Sequence, residues 1–183
     1  MALTPPVVMK IRCEYEEAGT AALFYLGKGA QYRNPQERDV RAMLRAQLTQ
    51  AEVAHVLDLA CGSGEATLEV VAMGGTSTCV DPYCGAACTE RTGLPCLASS
   101  FEDICHGKLH FEPDSFSAIV CSFALHLLDE SYLPALLAVV KSWSPVLIVL
   151  SPHKRPHIRP EWGWALQSEH VDNRVRFRRY ART

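Results

Sequence analysis

Gly62 and Gly64, with Asp81 about twenty residues further on, have the residue types and spacing that hold a nucleotide-type cofactor. Glycines let the backbone turn tightly and present bare N–H groups to a polar ligand, and an acid at that distance can grip ribose hydroxyls. His126 is a second group with chemistry of its own. An imidazole ordinarily titrates near neutral pH, which makes it the candidate general base toward an oxygen or nitrogen nucleophile. Cys84 and Cys88, with Cys79 and Cys96 nearby, form the one group of thiols suggestive of a metal. Their spacing lacks the paired Cys-x-x-Cys pattern, so no metal is expected. Cys61 lies inside the glycine turn, where backbone rather than thiol should do the binding.

These residues need a scaffold, and the surrounding pattern supplies one. The apolar run Val56 to Ala60 is too short for a helix and ends at the Gly-x-Gly turn, so it reads as a buried strand. Ala66 to Met73 then reads as a helix. After the Gly74-Gly75 break, Thr76 to Val80 is a β-branched second strand ending in Asp81, where Pro82 stops it and Tyr83 is placed to pack against the ligand. Upstream, Asn34, Pro35 and Glu37 fit a helix start, with Asn as cap and Glu reaching back to it. That helix runs to about Gln50, presents Val40, Met43, Leu44 and Leu48 on one face, and aims Tyr32 and Arg33 toward the site.

Downstream, residues 84 to 91 read as a short helix and Cys96 to Ser99 as a third strand. Phe116 to Ser122 reads as a fourth strand, with Phe123 and His126 beyond its carboxyl end. Asp129 and Glu130 cap a helix from about Ser131 to Lys141 that buries Leu133, Leu136, Leu137 and Val140. Val146 to Leu150 is a fifth strand, followed by a polar, proline-stiffened loop through His157. A helix through His170 is expected near Trp162 and Trp164. The tail alternates Arg174, Arg176 and Arg178 with Val175 and Phe177, the period of a strand whose charges would blunt an exposed edge.

Val56-Leu57-Asp58-Leu59-Ala60-Cys61-Gly62-Ser63-Gly64 resembles the first motif of class I (type 11/12-like) S-adenosylmethionine (SAM)-dependent methyltransferases, and Val80-Asp81 resembles their second. The likeness extends through Ser99 to Ile104 and Phe116 to Leu127, covering roughly residues 30 to 152. It implies an α/β fold, a three-layer Rossmann-like sandwich on a mostly parallel sheet. Sheets of this family end in two strands, whereas the tail has room for one by its pattern. The expectation is therefore about six strands with a shortened C-terminal end, in a single domain over 1–183. Within it, 1–52 would be an N-terminal cover and helix, 53–154 the cofactor-binding core, and 155–183 a C-terminal helix and last strand.

The resemblance assigns SAM (product S-adenosylhomocysteine) to Tyr32, Arg33, Asp58, Ala60, Cys61, Gly62, Gly64, Asp81, Pro82, Tyr83, Ser100, Phe101, Ser122 and Phe123. Arg33 would pair with the methionine carboxylate, which a guanidinium can do bidentately. In many relatives an acid after the third strand binds the adenine amino group, but here Ser99 and Ser100 occupy that place. No residue is firmly catalytic, because the methyl of a sulfonium is already activated, and His126 remains a candidate. The implied acceptor is a small molecule or a protein side chain. The Asn/Asp-Pro-Pro-Tyr/Phe signature of amino-methylating nucleic-acid enzymes is missing after the fourth strand. Three other readings stay open. The shortened C-terminus suits a SAM-binding partner subunit without transferase activity, the arginine-rich strand suits an RNA methyltransferase, and a nicotinamide reductase is disfavoured by Thr67 in place of a third glycine.

Composition sets the bounds. A chain of 183 residues with formal net charge −2 suits one domain and makes no case for wholesale nucleic-acid or membrane binding. No apolar run approaches a membrane span, and the N-terminal stretch lacks a signal-peptide layout. A cytoplasmic location with reduced cysteines is the expectation.

Overall fold

Residues 33–183 are described by a computed structural model. The expected N-terminal cover and Tyr32 lie outside the described residues. Five short strands, β1 (His55–Leu59), β2 (Thr76–Val80), β3 (Cys96–Leu97), β4 (Ala118–Ser122) and β5 (Val146–Ser151), run parallel to one another. β6 (Trp164–Asp172) and β7 (Val175–Arg182) complete the sheet in the order β3-β2-β1-β4-β5-β7-β6, with β7 antiparallel to both of its neighbours.

Helices cover both faces, which is why β4 and β5 are apolar at nearly every position. On one face α1 (Glu37–Gln47) and α3 (Glu65–Ala72) press Val40, Leu44, Ala66 and Val70 onto Val56, Val120 and Ile148. On the other, α5 (Phe101–Cys105) and α6 (Leu133–Trp143) press Ile104, Leu136, Leu137 and Val140 onto Leu57, Ile119 and Val149. The two-residue period of the strands thus feeds two separate cores. The α/β class and the three layers are as the sequence implies, and so are the buried faces expected of the first and last of these helices. α4 (Gly85–Thr92) spans the short helix expected there.

Two expectations about the C-terminal end are corrected. The sheet has seven strands rather than about six, and the segment through His170 is strand β6, not a helix. Beyond Trp164, which is buried and donates its indole N–H to the Leu137 carbonyl at 3.2 Å, β6 is largely exposed and polar. An edge strand of this kind owes its conformation to the hydrogen bonds of its partner, not to an alternating apolar pattern. Its reversal into β7 is a two-residue turn with positive φ at Asn173 (45°) and Arg174 (65°), the left-handed pair that matches the twist of a hairpin. Consequently β7 is internal, and its arginines do not blunt an edge.

The first helix is also shorter than expected. It ends at Gln47, Leu48 turns extended, and a separate turn α2 (Gln50–Val53) begins at Thr49 with a reciprocal capping box to Glu52. Asn34 does act at the helix start, accepting from the Gln36 N–H at 2.8 Å. Glu37 does not reach back to it, because its carboxylate is taken by Arg91 at 2.6 Å.

Candidate active site

The strand order reverses between β1 and β4, since chain leaving β1 builds toward one edge and chain leaving β4 toward the other. The place outside the carboxyl ends at that switch point is where open α/β sheets bind ligands. Backbone strain concentrates at that place. Ala60, directly after β1, has φ 57°, and Phe123, directly after β4, also has φ 57°. A left-handed conformation is unfavourable for alanine and more so for a bulky aromatic, by about 1–2 kcal/mol each. Both adjacent strands therefore end in a forced turn.

Gly62 (φ 56°) and Gly64 (φ 83°) continue the turn after β1. Gly64 is doubly required, because a Cβ there would lie 2.5 Å from the Thr92 methyl of α4. The turn is pinned from below by two acids. Asp58 accepts from the backbone N–H and hydroxyl of Thr67, at 3.0 and 2.7 Å, and so ties β1 to the first turn of α3. Its other oxygen is buried without a partner among the described residues. Full burial, reinforced by the Cys79 thiol, pushes the Asp58 carboxyl up to about 8. Asp58 is thus a neutral strut at neutral pH, turned into the helix layer.

Asp81 stands at the end of β2 as expected, and its carboxylate is already well used. One oxygen accepts from the N–H groups of Tyr83 and Cys84 at 2.8 and 2.6 Å, and the other accepts from Gly62 N–H at 3.0 Å. Burial nonetheless pushes its pKa up against those three donors. The oxygen facing Gly62 retains a lone-pair direction, so Asp81 both fixes the glycine turn and offers an acceptor for a ligand hydroxyl.

Sequence reasoning passed over a third acid. Glu65, buried in the first turn of α3, accepts from the Ser63 hydroxyl at 2.6 Å and from Asn34 N–H at 3.1 Å, with Arg91 3.9 Å away. Arg91 in turn donates to the Ser63 side chain and to Glu37. This network ties the entry to α1, which carries Arg33, to the glycine turn. The only local signal was a Ser-x-Glu inside the motif, and Arg91 carried none.

At β3, Ser100 is spent on capping α5, its hydroxyl accepting from Asp103 N–H at 3.1 Å while Asp103 accepts from Ser100 N–H. The buried hydroxyl without a partner is its neighbour Ser99. Ser122, at the end of β4, and the Nδ1 of His126, in the single turn Leu125–Leu127 (3₁₀), are likewise buried without partners among the described residues. Three unsatisfied polar atoms thus follow or end β3 and β4 on the carboxyl side of the sheet, with β2 and β1 between them. Tyr83, after β2, and Leu97, at the end of β3, are exposed apolar surfaces on the same side.

His126 differs from its expectation in one respect. Burial, with lesser contributions from His153 and Arg178, lowers its pKa to about 4. The two imidazoles stack edge to face with centroids 5.5 Å apart. A histidine with that pKa is neutral at pH 7 and too weak a base to drive proton abstraction well. It suits a hydrogen-bonding or shaping role on the rim.

The arginines of β7 are consumed internally. Arg178, nearly fully buried, donates to the carbonyls of Lys154, Arg155 and Pro156 and to the Ser151 hydroxyl, and so organises the loop after β5. Arg179 pairs with Glu52 at 2.8 Å, Arg176 with Glu169, and Arg182 with Asp114 at 2.8 Å. Among the described residues no helix is long and apolar enough to cross a membrane.

A strained glycine turn after β1, an acid after β2 and the seven-strand order with one inserted antiparallel strand define a class of proteins: methyltransferases of class I. The sequence profile of the methyltransferase domain matches residues 56–144. An uncharacterized protein of Schizosaccharomyces pombe is 32% identical over 185 aligned positions, spanning 78% of this chain and 75% of the relative. Among solved structures, the chain is similar to Burkholderia thailandensis 1,6-didemethyltoxoflavin-N1-methyltransferase, with bound 1,6-didemethyltoxoflavin and S-adenosylhomocysteine (TM-score 0.67, 15% identity, 100% of this chain and 92% of that one). It is also similar to magnesium protoporphyrin IX methyltransferase of Synechocystis with bound SAM (TM-score 0.62, 12% identity, 100% and 99%). The chain belongs to the methyltransferase domain family and has the class I fold of these structures.

Proposed function

We propose that this chain transfers a methyl group from SAM to a small-molecule acceptor held in the crevice between β1 and β4. The observation that carries the reading is the pair of left-handed residues, Ala60 and Phe123, that end these two adjacent strands at the point where the strand order reverses. The residues present fit the cofactor. Ser99, Ser122 and His126 offer buried polar atoms without partners, and Asp81 keeps an acceptor direction beside the glycine turn. Arg33 and the backbone of the Cys61–Gly64 turn would take the amino-acid part, Asp81 the ribose, and Pro82, Tyr83, Ser99 and the Phe101 backbone the adenine. SAM supplies an activated methyl on a positively charged sulfur.

What the protein contributes is alignment and exclusion of water. Phe123 and the His126–His153 pair would form the acceptor side of the crevice, with Arg178 holding the His153 loop through backbone carbonyls. Because His126 is neutral and weakly basic, an acceptor that needs deprotonation would have to bring a low pKa or lose its proton to water.

The readings without transferase activity and with RNA lose their particular support. The first rested on a shortened C-terminus, and the sheet is complete. The second rested on the face of Arg174, Arg176 and Arg178, and of these Arg176 and Arg178 are engaged within the chain.

Calorimetric titration of the purified protein with SAM and with S-adenosylhomocysteine tests the proposal. Binding of both is expected, and Asp81→Ala should weaken it by about 1–3 kcal/mol through loss of a charged hydrogen-bond acceptor. Folded wild-type protein that binds neither ligand would overturn it.

A further inference from the structure

Four cysteines that the sequence scatters meet beneath the glycine turn. Cys61 comes from the turn itself, Cys79 from β2, Cys88 from α4 and Cys96 from β3. The sulfurs of Cys61, Cys79 and Cys88 lie within 4.8 Å of one another, and that of Cys96 is 3.7 Å from that of Cys61. Cys79 and Cys88 are fully buried, Cys61 is 4% exposed and Cys96 is partly buried. The group forms a small core of its own, with Leu94 as its apolar neighbour, separate from the two large cores of the sheet.

Buried thiols can serve simply as small apolar side chains. The placement of the four sulfurs goes beyond that. A tetrahedral zinc site with Zn–S bonds of 2.3 Å places its sulfurs about 3.8 Å apart, and the Cys61–Cys96 separation is already that edge.

We propose that Cys61, Cys79, Cys88 and Cys96 form a closed thiolate site for one Zn²⁺ ion. Each ligating thiol gives its proton to solvent as its sulfur–zinc bond forms. The ion would clamp the turn after β1 to β2, β3 and α4, the elements that carry Asp81 and the wall of the crevice, from the side opposite the cofactor. The site is structural: all four ligands come from protein, and no position is left for substrate.

The test uses the whole chain, purified under reducing conditions from zinc-supplemented cells. Metal analysis should find one zinc per chain. Co²⁺ added to the metal-free protein should give thiolate-to-cobalt charge transfer and the strong visible bands of a tetrahedral site, both displaced by Zn²⁺. Cys88→Ser and Cys96→Ser should lose stoichiometric metal, while Cys105→Ser, on α5, should keep it. Because the two variants could unfold, alkylation of the wild type followed by peptide mapping provides a second reading. Zinc should protect these four cysteines and leave Cys105 reactive. Folded wild-type protein with no stoichiometric zinc and no cobalt bands, equal alkylation with and without zinc, or full occupancy in either ligand variant would overturn the proposal.

Discussion

A buried carboxyl that stays protonated at neutral pH behaves more like an amide than an acid, and Asp58 is such a group. Its folded pKa, about 8, lies above the ordinary carboxyl value. Its favourable state is therefore fully present below pH 4 and is lost as pH rises through about 8. Asp58→Asn should accept from Thr67 as the acid does and should gain stability relative to wild type between pH 7 and 9. Asp58→Ala should cost about 1–3 kcal/mol near pH 4, because the Thr67 donors lose their partner, and progressively less as pH rises toward 8. Denaturant melts at several pH values check both. His126 has the opposite sign. Its folded pKa is depressed to about 4, so wild-type stability should fall as pH drops from 6.5 toward 4, and His126→Gln should flatten that fall. Thermal melts across that range read it directly. These shifts come first from burial and then from neighbours far apart in the chain, Cys79 against Asp58 and His153 against His126, and no local pattern announces them. The types and positions of Gly62, Gly64 and Asp81 were legible because a tight turn and a ribose acid demand particular residues at a particular spacing. The arrangement of Ser99 against Ser100 was not, since only the capping geometry of α5 decides which hydroxyl is spent.

Helices α1 and α3 are joined by a buried charge rather than by apolar contact alone. Glu69 is fully buried and accepts from Arg41 at 3.0 Å and from Arg45 at 2.6 and 3.0 Å. Removing both arginines strands a carboxylate, at a cost of about 3 kcal/mol, whereas Glu69→Gln frees two partly exposed guanidinium groups and should cost distinctly less. Urea midpoints of the two variants give the comparison. The elements themselves were legible where an apolar period announced them, as in α6 and β5. They were illegible where tertiary partners decided: β6 is strand because β7 lies beside it, and α1 stops at Gln47 because Thr49 and Glu52 cap a new turn.

Charge on the molecule as a whole is more neutralised than a count of side chains suggests. The arginines of β7, read in isolation as a basic face, are paired with Glu52, Asp114 and Glu169 or bound to backbone carbonyls. Fluorescence titration with single- and double-stranded RNA should therefore show no binding that steepens at low salt, the mark of phosphate contacts. Another property follows from the order in which strands are made and used. β5 does not pair with β6, the strand that follows it, but waits for β7, which arrives already joined to β6 by the turn at Asn173 and Arg174. Until that hairpin docks, one of the most apolar strands in the chain presents a bare row of amide and carbonyl groups. A chain whose last hairpin is undocked would therefore offer β5 as an open edge to a second chain, and the docked hairpin covers that edge.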